Sequence, residues 1–370
     1  MHWLNKSGLV TTVNNDTTAL PPLLAHSGAT AVMVDATMAT MTTATRVQTI
    51  PFATQDYTSV QHGDERIDMY VTEPATGVRG TTGLLLLVHG WGTDGSSDYV
   101  GESEQLADTF DLVVTRVEFR HSGREARHPL PDRTFDVPYD LSKLQTIDCL
   151  RAAYATLRRY PQLDRTRVIY WGASQGAYLG AQSLIFAPHL WAYAVFVCGI
   201  YQPLSGADAQ ARGFSMDLRA KPGIGFVECA LGTGGSFPPA EEDIRNPYRN
   251  AALLPAEVPV ALIHGTNDEL ADIRHSVMLY ARLQGLRRAV QFYAIENGDH
   301  WMRGATHKDE ESAYQAVLKH CGDTLLTVRR PGASLLPSAP VHIPVRGGTF
   351  VVTYTAEGPT LAWQLCMKPL

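Results

Sequence analysis

Short runs in which nearly every residue is apolar recur through the middle of the chain. They are separated by longer stretches whose apolar positions fall three and four apart. LLLLV (84–88) is the plainest run, and LVVTRV (112–117), RVIYW (167–171), WAYAVFV (191–197), VPVALI (258–263) and AVQFYAI (289–295) repeat it. Continuous apolar runs of this length suit strands buried on both faces. Helical spacing is clearest over 141–160, where Leu144, Ile147, Tyr154 and Leu157 share a face, Asp140 stands as N-cap and Pro161 closes the segment. A second helix opens at Gln175 and runs to Pro188, and a third is predicted over 305–320, with Thr306 and Asp309 spaced as a capping box. Strands alternating with helices predict an α/β protein on a doubly wound, mostly parallel sheet.

The flanks follow other patterns. DYTSV, the turn QHGDE and RIDMYVTE, with Ile67, Met69 and Val71 alternating against polar neighbours, predict a β-hairpin. Residues 1–50, rich in Thr, Ala and Met without a clear period, read as an N-terminal arm. The Gly/Pro-rich stretch 200–257 is longer than a simple connection needs and reads as a cap insertion. VHIPV, TFVVTYTA and TLAWQL, spaced by turn residues, predict a small β-rich C-terminal appendage over 323–370. The main domain is then 51–322.

Chemistry enters at WGASQG (171–176), which ends one predicted strand and opens a predicted helix. A serine between small residues at that corner has the form of a nucleophile elbow. A serine hydroxyl needs a base to take its proton and a third group to orient the base. Asp268 in VPVALIHGTNDEL and His300 in AVQFYAIENGDHW each follow a later strand, so a parallel sheet brings them to the same carboxyl edge as Ser174. The rivals are Glu269 and Asp299 for the acid and His307 for the base. Asp299 adjoins His300, and neighbouring side chains diverge. HGWG (89–92) after LLLLV supplies an oxyanion loop: the amide of Trp91, or alternatively Gly92, would act with that of Gln175 at the helix start.

LLLLVHGWG, YWGASQGAYLG, ALIHGTNDEL and NGDHW together resemble the α/β-hydrolase superfamily, within it the serine esterases and the prolyl-oligopeptidase-like or dienelactone-hydrolase-like branch. The resemblance covers roughly residues 65–320. It implies Ser174 as nucleophile, His300 as base and Asp268 as orienting acid. The long 200–257 connection and Ala177, where peptidase members commonly carry another glycine, depart from it.

His89 and His264 each precede a glycine at a strand end and read as structural hydrogen-bonding groups. His121, Tyr201 and Trp301 are candidate substrate contacts, with core packing the alternative for the aromatics. His128 lies near His121, and their spacing fits no metal signature. Arg120, Arg124 and Arg127 suit a substrate carboxylate or a solvated loop.

Composition narrows the partners. A net charge of −6 and a pI near 6.1 point to neither nucleic acid nor an anionic membrane. No apolar run approaches the roughly 18 residues of a membrane span. The cysteines, 5 in number and widely spaced without CxxC, read as free thiols. MHWLNKSGLVTTVNN makes a poor signal peptide, which leads to a cytoplasmic expectation. The expected function is a cofactor-free, metal-free hydrolase of small carboxylic esters acting through an acyl-enzyme, its oligomeric state open. A peptidase of short peptides and an acyltransferase are the alternatives. A binding protein on the same scaffold is the reading from another class, and such proteins usually have a broken triad. Peptide-cleaving members of the resembling branch generally grip the chain with a separate propeller, whereas only about 50 residues precede the hairpin here; this favours esters.

Overall fold

The computed structural model describes residues 47–53, 66–120, 140–203, 236–334 and 336–365. Eight strands form one sheet in the order β1-β2-β4-β3-β5-β6-β7-β8. They are β1 (Val47–Ala53), β2 (Arg66–Thr72), β3 (Gly83–Val88), β4 (Leu112–Val117), β5 (Val168–Ala173), β6 (Tyr193–Val197), β7 (Val260–Gly265) and β8 (Val290–Ile295). β1 and β2 pair antiparallel with each other, and β2 pairs antiparallel with β4; every later pairing, from β4–β3 to β7–β8, is parallel.

Helices cover both faces: α1 (Val100–Phe110), α2 (Lys143–Arg159), α3 (Gln175–Phe186), α5 (Arg274–Gly285) and α6 (Ala313–Thr327), with a short α4 (Pro239–Ile244) outside the alternation. The run LLLLV shows why both faces are needed. Leu84, Leu86 and Val88 join a core with residues of α2, α3 and α5, while Leu85 and Leu87 join a second core with α1 and α6. A strand with successive side chains pointing to opposite faces must be apolar throughout if each face carries a helix layer.

Three details differ from the sequence expectation. β1 begins inside the stretch read as the arm, because VQTIPFA pairs in register along the whole of β2; DYTSV lies outside the described residues. The last helix starts at Ala313, not near 305. Ser312 caps it by accepting from the Gln315 amide, whereas Thr306 hydrogen-bonds Asn297 and the Glu296 carbonyl. At α2 the N-cap is Ser142 rather than Asp140: Ser142 forms a capping box with Gln145, while Asp140, two residues earlier, accepts the Leu144 and Gln145 amides. Both Thr306 and Ser312 fit the residue pattern of a helix start, and the serine nearer the apolar run prevails.

Of the stretch read as a cap, residues 204–235 lie outside the described set. The described remainder packs on α2 and α3: Arg245 donates to the Asp140 carbonyl, and Tyr178 and Gln182 donate to the carbonyls of Arg245 and Ile244. A separate antiparallel sheet, β11-β10-β9, closes the chain with β9 (Val341–Val345), β10 (Gly348–Thr355) and β11 (Gly358–Leu365). Ile343, Phe350, Val352 and Leu361 merge into the α2/α3 core. Arg151 donates to the Pro359 carbonyl, Tyr354 to that of Phe186, and Arg346 pairs with Asp243 beside α4. Among the described residues no helix is long and apolar enough to cross a membrane.

Because the small sheet shares the main core, Ile343→Ala should cost about 2–5 kcal/mol and move a single unfolding transition in urea. An early separate transition, with the main one unmoved, would show that the sheet folds alone.

Candidate active site

Ser174 sits between β5 and α3 with φ 54° and ψ −116°, a conformation that costs a non-glycine residue strain. The corner is held from both sides. Ser174 N–H donates to the Val197 carbonyl at the end of β6, and its carbonyl accepts from the Tyr178 amide as α3 begins. Glycine is required at 176: a Cβ there would stand 2.2 Å from the Val88 carbonyl oxygen of β3. That close approach brings the serine beside the loop after β3, where a Cβ on Gly90 would lie 3.3 Å from the Ser174 Cβ.

His300 and Ser174 face one cavity of about 610 Å³, bounded also by the Gly90–Thr93 loop, Tyr99, Trp301 and Tyr314. Its polar lining is mainly acidic, with Asp98, Glu102 and Glu311, and the guanidinium of Arg303 is paired with Asp299. Burial raises the pKa of Asp98, with Glu102 and Asp94 adding repulsion against the hydrogen bond from Thr93.

Behind the cavity, His300 Nδ1 lies 2.7 Å from Asp268 Oδ2. Asp268 is buried, and its Oδ1 accepts the amides of Leu270 at 2.9 Å and Ala271 at 2.8 Å. The nearness of the two loops depends on Gly265, where a Cβ would stand 2.2 Å from the Gly298 carbonyl oxygen. Burial alone would raise the Asp268 pKa. Hydrogen bonds from His264 and His300, with the charge those rings can carry, outweigh it and hold the carboxyl well below the usual range. Asp299 is turned to its own loop, accepting the Trp301 and Arg303 amides. Glu269 is exposed, and His307 is exposed at the start of a 3₁₀ turn over 308–310.

The remaining candidates divide. Trp91 lines the cavity, and Gln175 opens α3 with its side chain donating to Gln145 Oε1 at 2.8 Å. Trp301 lies on the rim, 53% exposed, its ring edge-on to His300. Tyr201 is fully buried in the core shared with α2 and α3, against Phe196 and outside the cavity lining. Arg120 grips Asp148 with Nε and Nη2, both at 2.7 Å, a buried structural pair. His121, Arg124, Arg127 and His128 lie outside the described residues. Tyr99 was not singled out in the sequence. Its signal exists only in the fold, where it adopts a left-handed φ of 58° at the cavity wall.

Among the described residues one trio, Cys198, His264 and Asp268, brings potential metal-ligand atoms within 4.8 Å of one another. Its chemistry suits hydrogen bonding better: burial pushes the Cys198 thiol up, and His264 and Asp268 already engage each other.

With this geometry in place, the comparisons agree on architecture. Residues 229–323 match the prolyl oligopeptidase family. The structure is similar to Pyrococcus horikoshii acylaminoacyl peptidase, with TM-score 0.54 and 18% identity over 74% of this chain and 39% of that one. It is also similar to Porphyromonas gingivalis dipeptidyl peptidase 4, with TM-score 0.52 and 15% identity over 75% and 35%. The fold is that of an α/β hydrolase. The chain therefore spans less than half the length of either peptidase. Thermogutta terrifontis esterase 2 aligns over 76% of this chain and 94% of its own, at 16% identity and TM-score 0.49. No curated protein matches the sequence.

Two buried histidines make the fold acid-sensitive. Burial pushes His89, stacked on Phe119, down to about 4 and His275 down to about 3. Unfolded histidine titrates near 6.5, so between these values the unfolded chain binds protons that the folded one does not. The stabilisation is complete above about pH 6.5, falls steadily below it and is exhausted once the pH reaches the folded values. Urea unfolding should therefore lose roughly 2 kcal/mol per ring between pH 7 and pH 5; an unchanged midpoint would contradict the assignment.

Proposed function

We propose that the protein is a serine hydrolase that cleaves small carboxylic esters through an acyl-enzyme. The observation that carries the reading is the 2.7 Å contact of His300 with the buried Asp268, the imidazole facing the same cavity as a serine on a strained elbow. In this reading Ser174 Oγ attacks the ester carbonyl while His300 Nε2 takes its proton. The amides of Trp91 and Gln175 receive the oxyanion, and the protonated ring then gives its proton to the departing alcohol. Water, deprotonated by the same ring, releases the acid and frees Ser174.

Esters are favoured because an alkoxide leaves more readily than an amine, and a cavity of about 610 Å³ encloses a small acyl group. The second reading, a peptidase, draws on the prolyl oligopeptidase match over 229–323. A fluorophosphonate should add its mass to the peptide carrying WGASQG, and Ser174→Ala should abolish labelling with the circular dichroism unchanged. Loss of labelling without loss of turnover would remove the serine from the mechanism. The two readings separate on kcat/KM for p-nitrophenyl acetate and butyrate against alanyl- and prolyl-p-nitroanilides, where faster anilide cleavage assigns the protein to peptides.

The acid is tested separately. Asp268→Asn should lower kcat on the order of 10³–10⁴-fold by favouring the wrong imidazole tautomer, and Asp299→Asn far less. The opposite ranking would overturn the assignment.

A further inference from the structure

Asp268 is shared by two histidines. His300 donates to Oδ2 from Nδ1 at 2.7 Å, and His264, on β7, brings Nε2 to the same oxygen at 3.1 Å. The proposed mechanism uses only the first. His264 is fully buried, and its neighbours determine which nitrogen carries the proton. The Ala271 carbonyl, 2.7 Å from Nε2, can only accept, so Nε2 bears the hydrogen. In the neutral ring Nδ1 must then accept, and Ser276 Oγ stands 2.8 Å from it with a hydroxyl to give. The Nε2–H is directed at the Ala271 carbonyl, and Asp268 Oδ2 stands 3.1 Å from the same nitrogen, on the side that carries the proton. The opposite tautomer would face two acceptors with a lone pair.

The two carboxylate oxygens are held differently. Oδ1 takes two backbone amides, which the chain itself fixes in place. Oδ2 faces imidazole side chains, and the Cys198 Sγ lies within 4.8 Å of the carboxylate. Without His264, a buried anionic oxygen would have one donor fewer and a stronger claim on the proton of His300.

We propose that His264 is a positioning residue for catalysis: its Nε2–H pins Oδ2 of Asp268 in the direction that receives His300 and shares the carboxylate's charge, so that His300 alone does not absorb it. Ser276 keeps His264 in the donating tautomer. The proposal rests on the serine-hydrolase reading, through which alone His264 acts on a reaction.

Two amide substitutions separate the donor's position from the bulk of the ring. His264→Gln places an N–H near the site of Nε2, and His264→Asn places one near Nδ1, short of Asp268. The glutamine variant should keep kcat within about threefold, whereas the asparagine variant should lose about tenfold or more in kcat with KM within about twofold. The low-field proton resonance of His300 Nδ1–H should move further downfield in the asparagine variant and stay in place in the glutamine one. Equal behaviour of the two variants, or an unmoved resonance in the asparagine variant, would overturn the proposal. Should neither variant fold, histidine-selective ¹⁵N labelling of the unaltered protein at pH 8 decides, because a proton on Nδ1 of His264 is incompatible with it. A Ser174 that takes no fluorophosphonate removes the hydrolase reading and this one together. A labelled Ser174 with indistinguishable variants removes this one alone.

Discussion

The placement of one buried charge organises the carboxyl edge of the sheet. Moving a carboxylate out of water costs several kcal/mol unless other groups replace its hydration. Asp268 meets that condition with backbone amides on Oδ1 and imidazole N–H groups on Oδ2. The groups around it come from three parts of the chain: the end of β7, the turn at 270–271 and the loop after β8. Satisfying the charge therefore draws these segments together, and His300 is brought to the cavity as part of the same solution. The close approach of Gly265 to Gly298 is the backbone condition for it.

The sheet supplies the platform for that loop cluster. Parallel strands release their chains at one edge, so β3, β5, β7 and β8 deliver the Gly90–Thr93 loop, Ser174, Asp268 and His300 to adjoining places. The strain at Ser174 is sustained by rigid neighbours, with β3 pressed against Gly176 and the end of β6 accepting the Ser174 amide. Helices on both faces make those neighbours rigid, and the C-terminal sheet extends one layer by burying Ile343 and Val352 against α2 and α3. The acidic lining of Asp98, Glu102 and Glu311 gives the cavity a polarity independent of the chemistry at its base.

Much of this was legible in the residues. LLLLV and its repeats set the strands, since a strand covered on both faces has no polar positions to spare, and β3 to β8 lie where those runs fall. The order of Ser174, Asp268 and His300 after successive strands was equally plain, because chain order and parallel pairing alone place them on one edge. Local signals failed where two competed: Thr306 and Ser312 both suit a helix start, and only packing of the apolar run from Ala316 decides between them. VQTIPFA carries too little alternation to be recognised as a strand without β2 beside it.

What the sequence determined by itself is the architecture and the set of candidate side chains at one sheet edge, because both follow from period, order and residue type. Tertiary structure alone decided which groups share Asp268, that Asp299 serves its own loop, that Arg120 is tied to Asp148 and that Tyr201 is sealed in the core. His264 stands four residues before Asp268, and nothing in HGTND says that its ring turns back onto the carboxylate. Such contacts depend on side-chain direction at ångström scale, which is set by close packing between segments distant in the chain and leaves no trace in local pattern.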